Sequence, residues 1–364
     1  MKKIISVTIC VLLLAFFAAG CGIPEASPSP TVSAPPTGGP PGAPPAGGFP
    51  NGGGFPFEEE TEKDSTSSES ENPAQTITKD GTYTITGDVN GQILVTAKTV
   101  TLILDGANIK CDDGSAIIGY YDGGKQKLTV ELRGTNTVSG AAHGIQGKDE
   151  LTVTGSGTVS ISAAKDGLHG GDKLTVAGGN INIVSSYEGI EAPEIIISGG
   201  NTVIHASDDG INAATDDKTV TPSITITGGE LTVYSNSDGI DSNGTLSVAG
   251  GTVAIFINAP RDGDTTDVER GGSVARAMLY ATASVAAGTK ISVGDWSIVT
   301  ESAATSLCLI LPGVESGQTY RITADGALLA ETAATVTIQG MMTGGAPGTG
   351  TEPGRGGGGG GKRP

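Results

Sequence analysis

Seven short β-forming runs begin at Leu102, Leu128, Leu151, Leu174, Ile195, Ile224 and Leu246, at spacings of 26, 23, 23, 21, 29 and 22 residues. A unit of that size cannot bury its own apolar face, so a chain that repeats it must stack its units on one another. Each unit carries the same order of features, as in LTVAGGNINIVSSYEGIEAPE and IIISGGNTVIHASDDGINAA: an alternating β-branched run, a Gly-Gly corner, a second alternating run and an acid-Gly-Ile corner. The alternation has the period of two that strands require, and no helical stripe separates the runs. A leucine-rich repeat of similar period would show a Leu-x-x-Leu-x-Leu frame, which is absent. The expectation is an all-β parallel β-helix of about seven coils over residues 76–259. Corner glycines are expected because tight turns need positive φ and leave little room for a Cβ.

The register breaks after residue 259. The β-like runs KISVGDWSIV, SLCLILPG, QTYRITADG and ATVTIQG lie within residues 260–340. An uncapped stack exposes strand edges and core, so these runs are expected to form a small antiparallel C-terminal β cap, with Trp296 in its core. Cys308, inside the apolar run Leu307 to Leu311, is expected to be a buried free thiol.

Both ends of the chain read differently. Residues 1–20 combine Lys2 and Lys3, an apolar run from Ile4 to Phe17 and the small residues Ala18, Ala19 and Gly20 ahead of Cys21. This is an export signal too short to span a membrane as a helix. It resembles a bacterial lipoprotein signal, with Cys21 at the lipidation position and Ala18 where a leucine is more usual. The resemblance implies a diacyl anchor at the outer face of the cytoplasmic membrane, and plain secretion is the alternative. Residues 21–75 are rich in Pro, Gly and Ser and then in acids. Residues 341–364 are Gly-rich. Neither stretch can bury a core, so both are expected to be disordered, the first as a spacer.

Without Lys2 and Lys3, the 21 basic residues fall to 19 against 39 acidic ones, a balance of −20. That charge excludes nucleic acid as a partner and suits solubility or divalent-cation binding. The acids are placed regularly. His143, Asp166, Glu188, Asp209 and Asp238 form one column at the corners, and Gln146, His169, Glu191, Asn212 and Asp241 form another three residues on. Rungs of a β stack lie about 4.7–4.9 Å apart and calcium binds carboxylate oxygens at about 2.3–2.6 Å, so one calcium ion spans two rungs. Asp-Gly is also a good turn dipeptide, which accounts for the first column but not for Glu188, Glu191 or Asp241.

The segments KDGLHGGDKLTV, YEGIEAPEIIISGG, DDGINAA and SDGIDSNGTLSVAGG resemble bacterial surface carbohydrate-binding domain proteins, whose right-handed parallel β-helix is related in fold to pectate lyases. The resemblance covers roughly residues 76–257. It implies calcium at Asp166, Glu188, Glu191, Asp209, Asn212, Asp238 and Asp241, and a plant cell-wall polysaccharide, pectic or cellulosic, as ligand. His169 fits calcium poorly because imidazole suits softer metals. Tyr187 and Tyr234, near the corners, are the candidates to flank a sugar ring.

A lyase or galacturonase-like hydrolase on the same fold is the rival reading. A lyase needs a strong base, and neither Arg133 nor Arg261 belongs to the columns. A hydrolase needs converging carboxylates, which Asp208, Asp209 and Glu188 would supply. A surface spacer or adhesin stiffened by calcium is a third reading. Repeated acids resemble structural ligands more than one tuned pair, so binding without catalysis is the expectation.

Overall fold

The computed structural model describes residues 69–71, 73–259 and 263–338. The expected signal segment 1–20, Cys21, most of the 21–75 spacer, Arg261 and the 341–364 tail lie outside the described residues. Every regular element among the described residues is a strand, so none is a helix long and apolar enough to cross a membrane.

The strands stack into parallel ladders, as alternating β-branched runs separated by glycine corners require. The first ladder holds nine short strands, from Gln75–Ile77 to Thr266–Val268. A second runs through Lys127–Arg133, Glu150–Gly155, Lys173–Val176, Glu194–Ile197, Ser223–Ile226, Thr245–Val248 and Gly272–Val274. A third runs through Thr135–Gly140, Thr158–Ala163, Asn180–Ser186, Asn201–Ala206, Glu230–Ser235 and Thr252–Ile257. Near the N-terminal end, Thr99–Cys111 is long enough to serve both the second and third ladders.

Alternate side chains point inward, and like residues stack on like. Ile145, Leu168, Ile190, Ile211 and Ile240 form one fully buried file, and Leu128, Leu151, Leu174, Ile195, Ile224 and Leu246 form another. Complete burial of each such side chain contributes roughly 1.5–3 kcal/mol. One register assignment from the sequence is corrected: Leu128 pairs with Val100, and Leu102 pairs with Val130. In a strand of period two, a shift of two residues leaves the same face inward, so apolar patterning cannot tell the two registers apart.

Parallel pairing also continues past residue 259, because Thr266–Val268 pairs with Ile240–Ser242 and Gly272–Val274 with the strand that starts at Thr245. The antiparallel unit follows. Ala304–Ile310 pairs antiparallel with Thr252–Ile257 on one side and with Met278–Val285 on the other, occupying the last edge of the third ladder. Lys290–Val293, Trp296–Val299, Thr319–Ala324 and Ala327–Ala333 make a separate four-stranded antiparallel sheet. Over its described residues, 334–338, the run ATVTIQG forms no strand: Thr335 bridges to Met278 and Ile338 packs into the coil core. Ala327–Ala333 takes its place, closed by a tight turn at Asp325 and Gly326, both at positive φ. Trp296 is half-buried against the apolar cluster of this unit. Cys111 and Cys308 are buried and free, and burial pushes the Cys308 thiol up to about 12.

Candidate metal centres on the corner columns

The acid-Gly-Ile corner leads each chain turn into a strand of the first ladder. The glycine N–H of one rung donates to the carbonyl of the corner acid on the next: Gly144 to Asp166, Gly167 to Glu188, Gly189 to Asp209, Gly210 to Asp238. These glycines do not adopt positive φ. They are glycine because a Cβ would strike the neighbouring coil. At Gly189 it would lie 2.3 Å from the Gly210 carbonyl oxygen and 2.3 Å from Ile204 Cγ2. Positive φ belongs to the other corner, at Gly179, Gly200, Gly229 and Gly251. The two expected reasons for glycine are thus divided between the corners, lack of room for Cβ at the acid-Gly-Ile corner and positive φ at the Gly-Gly corner.

The isoleucine after each glycine points inward, so the residue one further on points outward. Strand pairing places Gln146, His169, Glu191, Asn212 and Asp241 in register in that outward file. Both files extend one rung beyond the sequence reading. Asp267 pairs with Asp241, and Asp264 follows Asp238, since the Gly239 N–H donates to the Asp264 carbonyl. The motif is hidden in the sequence because Asp264-Thr265-Thr266 replaces Asp-Gly-Ile, although the Asp-x-x-Asp spacing persists. Thr265 is tolerated there because Thr266–Val268 ends the ladder and no further rung crowds it.

The seven expected ligands do not form one site. Asp209, Asp238 and Asp241 converge, each offering an oxygen within 4.8 Å of the others. Two oxygens sharing one calcium lie no farther apart than roughly 5 Å, so this set fits the ion. Asp209 Oδ1 accepts the Asp238 N–H at 2.8 Å, and Asp238 Oδ1 in turn accepts the Asp264 N–H. Glu188 and Asn212 pair on neighbouring rungs, with Asn212 Nδ2 donating to Glu188 Oε1 at 3.0 Å. Glu188 Oε2 and Asn212 Oδ1 are buried and have no hydrogen-bond partner. Two buried oxygens left open in this way are costly unless a cation meets them.

Asp166 and Glu191 sit differently. Asp166 Oδ2 lies 3.0 Å from His143 Nδ1 and 2.8 Å from His169 Nδ1, and His169 Nδ1 is 3.4 Å from Glu191 Oε2. The two imidazole rings lie 4.7 Å apart. Asp166 thus faces ring nitrogens from its own rung and the one before, unlike the all-oxygen surroundings of Asp209, Asp238 and Asp241.

The electrostatics follow from this crowding. Burial pushes Glu188 up to about 9, Asp241 up to about 7 and Asp238 up to about 6, with neighbouring carboxylates adding to the rise. Glu191 and Asp209 are also raised, chiefly by burial. Burial works against ionisation of Asp166 as well, but hydrogen bonds from both histidines outweigh it and hold its carboxyl well below the usual range. Burial lowers His143. It opposes charge on His169 too, yet Asp166 and Glu191 carry that imidazole up to about 10.

Raised carboxylates hold protons in the folded state that the unfolded chain has already released. Their stabilising contribution is thus lost as pH rises through the folded values, and the raised His169 acts in the same direction. In chelator, the melting temperature is expected to fall by on the order of 5 °C between pH 5 and pH 9. Melting curves across that range, repeated in calcium, test this. A metal-free protein that gains stability with pH would contradict it.

Of the two tyrosines, Tyr187 is 52% exposed beside the corner, and the Asp208 carboxylate pushes its phenol up to about 12. Tyr234 is corrected. It is buried, stacked between His205 and Phe256 at 4.8 and 5.3 Å, and its hydroxyl accepts the Glu301 N–H. Its side chain does point out of the coil stack, but the C-terminal unit covers that face. The insert YYDGGKQ, legible in the sequence as a departure from the coil length, carries the exposed Tyr120, with Lys148 Nζ 5.7 Å from its ring centre. That insert and the Thr215 to Pro222 insert both leave the first ladder on the way to the second.

Residues 71–307 match the family described as carbohydrate-binding domain-containing protein. Among solved structures, the chain is similar to the polysaccharide lyase-like protein from C. thermocellum, determined as a gadolinium derivative. The two are 26% identical with a TM-score of 0.50, over 58% of this chain and 92% of that one. No curated protein matches the chain.

Proposed function

Because the chain belongs to the family of carbohydrate-binding domain-containing proteins, we propose that its coil stack binds an acidic or cellulosic cell-wall polysaccharide at the cell surface, through calcium, without cleaving it. Family membership and the polysaccharide lyase-like neighbour support polysaccharide as the ligand class. The observation that carries the calcium reading is the pair of buried, partnerless oxygens, Glu188 Oε2 and Asn212 Oδ1, the second on the same rung as Asp209 of the converging Asp209, Asp238 and Asp241. A hard divalent ion satisfies such oxygens and offsets the repulsion among these carboxylates.

These outward carboxylates would hold calcium with positions left for a second set of oxygens. Polymer carboxylates would fill them, which reconciles an acidic protein with an acidic ligand. Exposed Tyr187 stands beside this face as the ring contact. Binding without catalysis is favoured by the position of Arg133, whose guanidinium is paired with Glu131 on the second ladder, away from the columns. We also read the stack as winding right-handed, the hand that parallel strand crossovers overwhelmingly take.

Retention of the full chain on polygalacturonate and on cellulose, with calcium and with chelator, tests the proposal. Loss of retention on chelation is the expected result. Retention indifferent to calcium would remove the metal from recognition, and accumulation of unsaturated or shortened oligosaccharides would make the protein an enzyme. The surface location rests on Cys21. Replacing it by alanine is expected to abolish fatty-acid labelling and move the protein from the membrane fraction to the medium.

A further inference from the structure

We propose that His143, Asp166 and His169 form a binding site for a divalent transition metal of the zinc class, separate from the all-oxygen set of Asp209, Asp238 and Asp241. The reading is independent of polysaccharide binding.

The donor set argues first. Calcium takes oxygen ligands, whereas imidazole nitrogen with carboxylate oxygen suits zinc and its neighbours. Within the columns, histidine occurs only at this cluster, and both rings aim Nδ1 at the same oxygen, Asp166 Oδ2. The third histidine of the chain, His205, lies elsewhere, bonded to Glu301 and Ser302 of the C-terminal unit.

Geometry supports the same conclusion. Ligand atoms about 2.0–2.1 Å from a tetrahedral zinc lie roughly 3.3 Å from one another. The Nδ1 to Oδ2 separations are 3.0 and 2.8 Å, and all three donor atoms fall within 4.8 Å of one another. Small side-chain shifts open the triangle to the size of the ion. Glu191 Oε2, 3.4 Å from His169 Nδ1, stands ready as a fourth ligand. His143 and Asp166 are more than nine-tenths buried, while His169 and Glu191 keep about a quarter of their side chains in solvent. The ion therefore has a preformed floor and an open side for access.

The rungs add a consequence. His143 lies on one rung, Asp166 and His169 on the next, and Glu191 on the one after. A metal here clips three successive coils, where the all-oxygen set ties coils nearer the C-terminal end. Without metal, the histidines and carboxylates hold one another by hydrogen bonds, so the fold does not depend on the ion.

The test uses the full chain, purified in detergent without a histidine tag and labelled with nitrogen-15. Zinc is titrated while the imidazole nitrogens are followed by NMR. Saturable shifts of Nδ1 in His143 and His169 at one zinc per chain are expected, with His205 unmoved and a large excess of calcium failing to reverse them. His143→Gln and His169→Gln are each expected to weaken zinc binding by at least roughly 10-fold, the least that loss of even a ligand's supporting partner costs. No shift in either column histidine, equal shifts at all three histidines, or ready displacement by calcium would overturn the proposal. The titration of the unsubstituted protein decides the matter even if a variant fails to fold.

Discussion

Replacing Asp238 and Asp241 together by asparagine is expected to stabilise the protein in chelator and destabilise it in calcium, relative to the parent chain in each condition. In chelator, Asp209, Asp238 and Asp241 crowd three carboxylates into one half-buried cluster, and burial raises all three. Asparagine removes two of the charges and keeps an oxygen for the Asp264 N–H that Asp238 now accepts. In calcium the same oxygens are ligands. A ligand present at 100 times its dissociation constant stabilises the folded state by about 2.7 kcal/mol, which for a domain of this size corresponds to on the order of 5–10 °C in melting temperature. The parent should show that rise, and the double variant should lose most of it. Melting curves of both proteins in both conditions provide the measurement. Pure turn chemistry forecasts a different pattern, with the variant less stable in both conditions and no response to calcium in either protein.

Gly210→Ala is expected to cost at least about 3 kcal/mol and to lower soluble yield, whatever the metal. The added Cβ would lie 2.1 Å from Val233 Cγ1 and 2.6 Å from the Gly239 carbonyl oxygen. Neither neighbour can retreat, since one belongs to an inward file and the other to the backbone of the next rung. The backbone at Gly210 is not in the left-handed region, so the cost comes from packing and not from conformational strain. Thr265→Ala provides the contrast. Thr265 occupies the same position on the last rung, where no further coil packs against it. Among the described residues Thr265 Oγ1 is buried with no hydrogen-bond partner, so truncation removes an unsatisfied hydroxyl along with one methyl's packing and should cost less than about 1 kcal/mol. Equal losses in the two variants, read from denaturant midpoints, would mean that coil-to-coil contact is not what selects glycine at this corner.

Such contrasts mark where sequence patterning stops being informative. At Leu102 a register two residues away buries the same face, so the pattern is blind to the difference. The strand Thr252–Ile257 reads as the continuous apolar run TVAIFI because it is buried on both sides, by the coil interior and by the C-terminal unit. Tyr234 belongs to that same covered face. It directly follows Val233 in the run Leu231-Thr232-Val233-Tyr234, where alternation sends it out of the stack. Alternation cannot say whether that outward side meets solvent, and the Glu301 N–H that its hydroxyl accepts comes from 67 positions later in the chain.

The candidate sites divide in the same way. Asp166, Glu188, Glu191, Asp209, Asn212, Asp238 and Asp241 are legible as two columns because one residue spacing recurs from coil to coil. Their partition is not legible. Which donors converge depends on where each side chain leans between rungs, and a periodic pattern treats every rung alike. Asp264 and Asp267 escape the pattern because the last rung has no neighbour to demand glycine, so the motif there loses the residues that make it recognisable.

The sequence by itself determined the parallel stack, its inward files and the acidic columns, because each is a local pattern that recurs in every coil and repetition makes weak local preferences add. Only the tertiary structure decided three things: that two histidines share the carboxylate of Asp166, that Glu188 and Asn212 each leave a buried oxygen open, and that the C-terminal unit buries Tyr234. The first two turn on how side chains of neighbouring rungs lean toward one another, which a pattern that treats every rung alike does not encode, and the third turns on a contact 67 positions away in the chain.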